Sequence, residues 1–196
     1  MKLPLHQFKR VVRDSVLVSL DLLVVNDRNE VLLGLRKNSP AKGWLFVPGG
    51  RVHKGEGLRD GLHRISTNET GMSLSKEEGA LYGIYDHIYP ENAFGEPGVS
   101  THYVVIACLF HLRSLIPCSR DDQHEELRMM SVPELLAHPQ VHTYARNYFV
   151  ADPPNLFLGA DNCLARRAPF VQETNEGGVI AAEIIAANVK APAGTL

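Results

Sequence analysis

Short runs of hydrophobic residues separated by polar turns fill the first half of the chain. Residues 16–25 are rich in valine and leucine, residues 26–30 are polar, and residues 31–35 are apolar again. Two runs of strand length joined by a short polar turn predict a β-hairpin. Further strands are predicted at residues 79–88, 101–112 and 126–130.

A loop rich in glycine and proline follows the predicted hairpin. It covers residues 40–57 and surrounds a short apolar piece at residues 44–47. Glycine and proline at this density indicate a backbone held in special turns. Residues 58–70 are then predicted to form a helix that ends at Gly71, a position where left-handed backbone is common.

The second half of the compact region ends in short helices. Ser131 and Glu134 have the spacing of a capping box, and Pro133 fits the first helical turn. Helical runs are predicted at residues 133–137 and 140–149. Strands, one central helix, and then further strands and helices predict an α+β sandwich with a mixed β-sheet.

The composition is that of an ordinary globular protein, with 44% hydrophobic residues, 21% charged residues and a formal net charge of −2 over 196 residues. We expect one domain at residues 1–151. Two prolines open a C-terminal extension, residues 152–196, in which residues 179–190 are predicted to form a helix that is apolar on most sides. Such a helix must be buried, either against its own domain or in a contact between two copies.

Charge and cysteine content argue against several classes of protein. A near-neutral chain is not expected to grip nucleic acid over a wide surface. We find no apolar segment long enough to cross a membrane and no uninterrupted apolar run of a signal peptide. The three cysteines are widely spaced without a CxxC pair. We therefore expect neither a disulfide framework nor a zinc site. We also expect the protein to be located in the cytoplasm.

Positive charge is concentrated around the glycine-rich loop. No Asp or Glu lies between Glu30 and Glu56, whereas that stretch contains five cations, Arg36, Lys37, Lys42, Arg51 and Lys54. Glycines let backbone amides approach an anion closely, and the following helix presents its N-terminus to the loop. This pattern indicates either an anion site or a solvated basic loop.

The central helix carries an acidic residue on its predicted buried stripe. Leu58, Leu62 and Ile65 mark that stripe, and Glu69 projects about 20° from Leu58. A buried carboxylate costs several kcal/mol unless it is compensated. A divalent cation would compensate Glu69, and so would an ion pair with an arginine; this residue alone leaves both interpretations open.

Five residues around this helix match the signature G-x₅-E-x₇-R-E-U-x-E-E-x-G-U, namely Gly50, Glu56, Arg64, Glu69 and Gly71. The spacing resembles the Nudix family, whose members hydrolyse nucleoside diphosphates linked to another moiety, usually with Mg²⁺ or Mn²⁺. Ile65 and Asn68 stand where the signature has glutamates. Because the helix keeps one of three carboxylates, the resemblance implies fewer metal ions than usual, with one per site.

Several further motifs are similar to one branch, the GDP-mannose mannosyl hydrolases. They occur in order at residues 18–21, 35–36, 40–52, 82–87, 101–105 and 122–124. The resemblance covers roughly residues 10–150. It implies a Nudix α/β/α sandwich, a homodimer, and water attack at the anomeric carbon of mannose with inversion, which yields GDP and free sugar. GDP-glucose is not distinguished from GDP-mannose by these residues.

The resemblance also implies roles for individual residues. Mg²⁺, for which Mn²⁺ can substitute, would be held by Glu69, the carbonyl of Gly49 and the amide oxygen of Gln123. His124 would be the general base that takes a proton from water. Its acidic neighbours would raise its pKa and favour activity at alkaline pH; they are Asp121, Asp122, Glu125 and Glu126.

Substrate contacts follow from the same resemblance. Asp21 and His87 would bind the mannose hydroxyls. The diphosphate would be contacted by three arginines, Arg36, Arg51 and Arg64. Arg64 has a second interpretation as a clamp on Glu56, and Tyr103 is either a donor to a phosphate or a packing aromatic of the sheet.

Two other functions remain open at this point. A Nudix pyrophosphohydrolase would cleave a nucleoside diphosphate sugar at phosphorus, but it needs helix carboxylates that Ile65 and Asn68 do not supply. A binding module would recognise a nucleotide sugar without chemistry, and the presence of both Glu69 and His124 argues against it.

Overall fold

The computed structural model describes residues 3–112 and 124–159, and for residues 124–126 and 159 the backbone alone. These residues form four helices and eight strands. In chain order they are α1 (Leu5–Asp14), β1 (Leu17–Asn26), β2 (Glu30–Arg36), β3 (Leu45–Phe46), β4 (Gly49–Arg51), α2 (Leu58–Thr70), β5 (Gly79–Tyr89), β6 (Thr101–Leu112), β7 (His124–Ser131), α3 (Val132–Ala137), α4 (Thr143–Asn147) and β8 (Leu156–Gly159).

A mixed β-sheet organises the described residues, in the strand order β3–β2–β1–β6–β5–β8. Strands β1 and β6 run parallel, with Leu17 opposite Tyr103 and Asn26 opposite Leu112. Strands β1 and β2 are antiparallel, as are β5 and β6. Off this path, β4 pairs with β1 and β7 pairs with β2. The predicted α+β sandwich with a mixed sheet is confirmed.

Both faces of the sheet are covered by helices. On one face, Leu62 and Ile65 of α2 belong to a buried cluster with Leu20 and Leu22 of β1. On the other face, α3 and α4 contribute side chains to a larger cluster, which includes Leu23 of β1 and Tyr85 of β5. Alternate residues of β1 therefore point to opposite cores, as expected for a strand in the middle of a sandwich.

The hairpin and the capping box form where the sequence predicts them. Val25 of β1 lies opposite Val31 of β2. The turn between these strands is held by the side chain of Asn26, whose Oδ1 accepts the backbone N–H groups of Arg28 and Glu30 at 2.9 and 3.0 Å. The Ser131 hydroxyl accepts the backbone N–H of Glu134, 3.4 Å away, at the start of α3.

Four features differ from the prediction or were missed. Leu58 was wrongly placed on the buried stripe of α2; it is the first residue of the helix and is 53% exposed. Helix α4 is shorter than the run at 140–149. Helix α1 was not predicted. Strand β8 lies in the segment assigned to the extension, yet it pairs with β5, where Leu158 is opposite Ile84.

Several predictions fall outside the described residues. They concern Gln123, the acidic neighbours Asp121 and Asp122, the helix at 179–190, and the cysteines Cys118 and Cys163. The domain boundary at residue 151 and the homodimer stay predictions. Cys108 lies in β6 as a free thiol. None of the helices in the described part of the chain is both long and apolar enough to span a bilayer.

Candidate active site

A cleft of about 1100 Å³ is lined by residues of β1, β4 and α2 and by two loops, near residues 37–42 and 92–95. It brings together eight residues that the sequence predicts for one site. They are Asp21, Arg36, Gly49, Arg51, Arg64, Glu69, His87 and Tyr103. These residues come from six separate elements, so it is the fold that assembles them.

Asp21 is buried at the floor of the cleft, with 6% of its surface exposed. Its Cα pairs with that of Gly49 across β1 and β4. A Cβ on residue 49 would lie only 2.5 Å from Oδ1 of Asp21 and 2.8 Å from the carbonyl oxygen of Leu20. Only glycine fits there, and its absence of a side chain brings the β4 backbone directly against the carboxylate.

The Asp21 carboxylate is held by Tyr148, a residue that the sequence analysis missed. The Tyr148 hydroxyl donates to Oδ2 of Asp21 at 2.6 Å and lies 3.3 Å from Nε2 of His87. Burial raises the pKa of Asp21 to about 6, while the Tyr148 hydrogen bond and the Arg36 charge act in the opposite direction. One hydroxyl thus links the two side chains predicted to bind sugar.

His87 is buried in a cluster of aromatic rings. It is 2% exposed and stacks on Tyr144, with ring centroids 4.2 Å apart and planes 3° from parallel. Burial lowers its pKa to about 3, and the charges of His142 and Arg36 add to that effect. The imidazole is therefore neutral at physiological pH and can exchange hydrogen bonds with hydroxyl groups without carrying charge.

Two arginines, one from β2 and one from β4, bring positive charge to the cleft. Arg36 donates from Nε to the carbonyl oxygen of Pro40 at 3.0 Å. Arg51 stacks on Phe8 of α1, with its guanidinium carbon 4.1 Å from the ring centroid. Burial raises the pKa of Tyr103, whereas both guanidinium charges lower it. The Tyr103 side chain therefore keeps its phenolic proton and remains a hydrogen-bond donor.

Arg64 clamps Glu56, as the second interpretation of this arginine predicted. Its Nε and Nη2 donate to the two carboxylate oxygens of Glu56 at 2.6 and 2.8 Å, and Nη2 also donates to the carbonyl oxygen of Arg51 at 2.9 Å. The hydrogen bonds from Arg64 lower the pKa of Glu56 to about 2. A direct contact of Arg64 with phosphate stays a prediction.

Glu69 stands in the last turn of α2 and is 3% exposed, as its position on the helix predicts. It lines the same cleft as Gly49 and Asn68. Ile65 is 1% exposed and fills the space beside Gly50, where an added Cβ would lie 3.3 Å from its Cγ1. Among the described side chains, no three His, Cys, Asp or Glu residues cluster as a metal site.

This donor set fits one divalent ion rather than several. The buried carboxylate of α2 and the backbone carbonyl of Gly49 line the same cleft and offer hard oxygen ligands, which Mg²⁺ prefers. Glu69 and the carbonyl of Gly49 are the candidate ligands within the described residues, and Gln123 lies outside them.

The backbone of His124 begins β7 and is the register partner of Arg36 in β2. Because Arg36 lines the cleft, this pairing brings the start of β7 to the cleft edge. The position agrees with a role for His124 in the site, and the role itself stays a prediction.

Sequence reasoning missed two residues that shape the site. Phe8 had a detectable signal, since Leu5, Phe8 and Val12 follow the three- and four-residue spacing of a helix face. Tyr148 had none, because its partner in the sequence is 127 positions away.

The link between Tyr148 and Asp21 is expected to stabilise the fold. Tyr148→Phe leaves a buried carboxylate without its donor, and we expect the free energy of unfolding to fall by about 1–3 kcal/mol. Denaturant unfolding of Tyr148→Phe, Asp21→Leu and the double variant measures this coupling. The two substitutions should be clearly non-additive. Additive losses would mean that the hydrogen bond contributes nothing.

The ion pair between Glu56 and Arg64 predicts a specific response to acid. The pKa of Glu56 falls from its ordinary 4.5 to about 2, so the pair stabilises the fold fully above 4.5 and loses that contribution as pH drops toward 2. Glu56→Gln should be less stable by roughly 1–3 kcal/mol at neutral pH. The difference in melting temperature from the unaltered protein should shrink on acidification, and a constant difference would contradict this account.

Comparison with known proteins agrees with this geometry. The family model described as NUDIX domain matches residues 17–151. The chain is 35% identical over 143 residues to the low-salt glycan biosynthesis protein Agl8 of Haloferax volcanii, a match covering 73% of this chain and 88% of that protein. A shorter match, 38% identical over 68 residues, covers 35% of this chain and 38% of an ADP-ribose pyrophosphatase from Methanocaldococcus jannaschii.

Among solved structures, a MutT NUDIX hydrolase from Burkholderia pseudomallei superposes with a TM-score of 0.55 at 26% identity, covering 69% of this chain and 96% of that one. The family match spans every strand from β1 to β7. The chain belongs to the Nudix hydrolase family.

Proposed function

We propose that this protein hydrolyses GDP-mannose, or GDP-glucose, to GDP and free sugar by attack of water at the anomeric carbon. The observation that carries the proposal is the convergence of the predicted residues in one cleft. They supply complementary chemistry, with hydroxyl-binding groups at the floor, cations along the walls and a buried carboxylate on α2.

The floor of the cleft suits a neutral, hydroxylated ring. Asp21 accepts hydrogen bonds, and neutral His87 both donates and accepts them. Tyr148 and the stacked ring of Tyr144 hold these two side chains in place. A rigid pair of this kind can select a hexose by its hydroxyl pattern, because a mismatched hydroxyl would leave buried polar groups unpaired.

The walls of the cleft suit a diphosphate leaving group. Guanidinium groups stay charged and grip phosphate oxygens in pairs, so Arg36 and Arg51 stabilise the negative charge that develops as GDP departs. Glu69 and the Gly49 carbonyl would hold the divalent ion. When bound, that ion supplies Lewis-acid stabilisation of the same charge.

His124 completes the reaction as general base. It takes one proton from water while the water oxygen bonds to the anomeric carbon. The bond between that carbon and the diphosphate oxygen breaks, and GDP leaves with the bonding electron pair. No group needs to protonate the leaving oxygen, in contrast to the carboxylic acid of ordinary inverting glycosidases.

Attack at carbon is favoured by what α2 lacks. Activation of water next to phosphorus in the general Nudix pattern relies on further carboxylates on this helix. Here Ile65 is buried against Gly50, and Asn68 lines the cleft as a neutral amide. Similarity to a glycan biosynthesis protein agrees with a sugar nucleotide as substrate.

Cleavage at phosphorus is the second candidate. It is favoured by the partial similarity to an ADP-ribose pyrophosphatase. The products would then be GMP and a sugar phosphate.

Hydrolysis in ¹⁸O-labelled water separates the two reactions. With Mg²⁺ and GDP-mannose or GDP-glucose, we expect the label in the free hexose and none in GDP, as read by mass spectrometry of both products. Label in a phosphate would overturn attack at carbon. Absence of any turnover with either Mg²⁺ or Mn²⁺ would favour a binding module instead.

Substitution of the proposed base should affect rate more than binding. His124→Gln is expected to lower kcat by about 10²–10⁴-fold with little change in KM, because general-base assistance is lost. Glu69→Gln is the matched contrast, since it should raise the Mg²⁺ concentration needed for half-maximal rate. Unchanged turnover in His124→Gln would remove this residue from the mechanism.

A further inference from the structure

A carboxylate joins the two loops that line the cleft. Oε1 of Glu91 accepts the backbone N–H of Ala41 at 2.7 Å, between residues 50 positions apart in the sequence. Ala41 belongs to the loop near residues 37–42, and Glu91 immediately precedes the loop near residues 92–95. Glu91 itself is not among the described residues that line the cleft. Its carboxylate can therefore affect a bound ligand through the loop that it holds.

The backbone of Ala41 has a conformation that needs support. Its φ is +63°, in the left-handed region that a residue with a Cβ rarely adopts. Such a conformation persists only where its surroundings enforce it. Here Glu91 binds the N–H of Ala41, its carbonyl oxygen accepts the N–H of Trp44 at 3.2 Å, and its side chain is buried in the core. The bond from Glu91 is thus one of the contacts that fix the path of this loop.

Glu91 is in turn anchored to the central sheet. It lies two residues beyond Tyr89, the last residue of β5. Its carbonyl oxygen accepts the hydroxyl of Thr101 at 2.8 Å, and Thr101 is 2% exposed at the start of β6. Tyr89 and Thr101 are register partners, so the backbone of Glu91 is held at the end of two paired strands. Its side chain therefore ties the loop near residues 37–42 to a rigid part of the fold.

The peptide group that Glu91 holds also binds Arg36. The N–H of Ala41 and the carbonyl of Pro40 belong to one peptide group. Glu91 accepts from the N–H, and the carbonyl oxygen accepts the Nε–H of Arg36 at 3.0 Å. A peptide group is planar and rigid, so the bond that fixes the direction of its N–H also fixes the direction of its carbonyl. Hydrogen bonds in such a chain polarise one another, here from a carboxylate to a guanidinium.

A hydrogen bond at Nε sets the orientation of the whole guanidinium of Arg36. The group is planar, and its terminal nitrogens are those that grip phosphate oxygens in pairs. Its carbon also lies 5.8 Å from the centroid of the Phe46 ring. The carbonyl of Pro40 and the Phe46 ring therefore hold Arg36, a residue that lines the cleft.

We infer that Glu91 is the positioning residue of Arg36 and acts through the peptide group between Pro40 and Ala41. The inference rests on the proposed function for the contact of Arg36 with a diphosphate. A nucleoside diphosphate then meets a guanidinium that is ordered before binding, which lowers the entropic cost of association.

The charge of Glu91 alone would have the opposite effect on an anion. A carboxylate near a cationic cleft repels a diphosphate, so its removal would strengthen binding if charge were all that mattered. Positioning predicts weaker binding instead. Two substitutions separate charge from reach, because Glu91→Gln removes the charge and keeps an oxygen at the same length, whereas Glu91→Asp keeps the charge on a shorter side chain.

Calorimetric titration of the full chain with inorganic pyrophosphate and Mg²⁺ tests this role. For Glu91→Ala and Glu91→Asp we expect the affinity to fall by about 3- to 10-fold, the range for re-ordering one long side chain on binding. Glu91→Gln should bind like the unaltered protein. In an Arg36→Ala background, Glu91→Ala should cause no further loss, because it acts through that arginine. Glu91 is exposed, so these substitutions leave the core intact, and melting temperatures monitor folding.

A second measurement needs no ligand. Exchange of the Arg36 Nε–H with solvent, followed by NMR, should be faster in Glu91→Ala and Glu91→Asp than in the unaltered protein and in Glu91→Gln. Loss of a contact that served only the stability of the loop would change neither this exchange nor the affinity for pyrophosphate.

Four results would overturn the inference. They are equal or tighter pyrophosphate binding by Glu91→Ala, a Glu91→Gln variant as weak as Glu91→Ala, additive losses with Arg36→Ala, and unchanged Nε–H exchange. These results are separable from the outcome of the proposed reaction. If the ¹⁸O label appears in phosphate while affinity and exchange depend on Glu91, attack at carbon is wrong and the positioning of Arg36 stands. If the unaltered protein does not bind pyrophosphate, the contact of Arg36 with a diphosphate and this inference fall together.

Discussion

A carboxylate buried at the floor of a positively charged cleft is the constraint on which the site depends. Asp21 sits in the middle of β1, where an apolar residue would pack without cost, and its ionised form must be compensated. Tyr148, at the C-terminal end of α4, supplies a hydrogen bond, and Arg36 supplies positive charge. The Tyr148 hydroxyl also contacts His87. One side chain therefore stabilises the buried Asp21 carboxylate and positions the floor of the cleft.

The arginines of the cleft serve different purposes although the sequence presents them alike. Arg64 is committed to Glu56 and to the backbone of Arg51, and so it holds the turn from β4 into α2. Arg51 is in turn oriented by that backbone contact and by Phe8. The orientation of Arg51, which can contact a ligand, therefore depends on Arg64, which is held in its ion pair with Glu56. Spacing in a sequence motif cannot distinguish these roles, because they follow from contacts between elements.

Local patterns predicted most of the fold. Hydrophobic runs located the strands, and the helical projection correctly predicted that Glu69 is buried. Both predictions depend on periodicity within one element. The prediction for Leu58 was wrong because periodicity gives the direction of a side chain and not whether another element covers the helix end at which it lies. Tyr148 and strand β8 could not be found, since each acquires its place through a partner distant in sequence. The predicted site residues of the described part of the chain line one cleft, whereas the hydrogen bond from Tyr148 to Asp21 was not predicted.

The parallel pairing of β1 with β6 has a consequence for biosynthesis. The first strand to leave the ribosome can pair early with β2 and β4, but it finds its parallel neighbour β6 only when residues 101–112 have been made. The hydroxyl that accompanies Asp21 arrives later still, 127 positions downstream. A nascent chain released before that point contains a hydrophobic strand in which Asp21 lacks the hydrogen-bond donor that it has in the folded protein. Such long-range closure slows folding, and it means that the catalytic floor and the complete sheet come into being together.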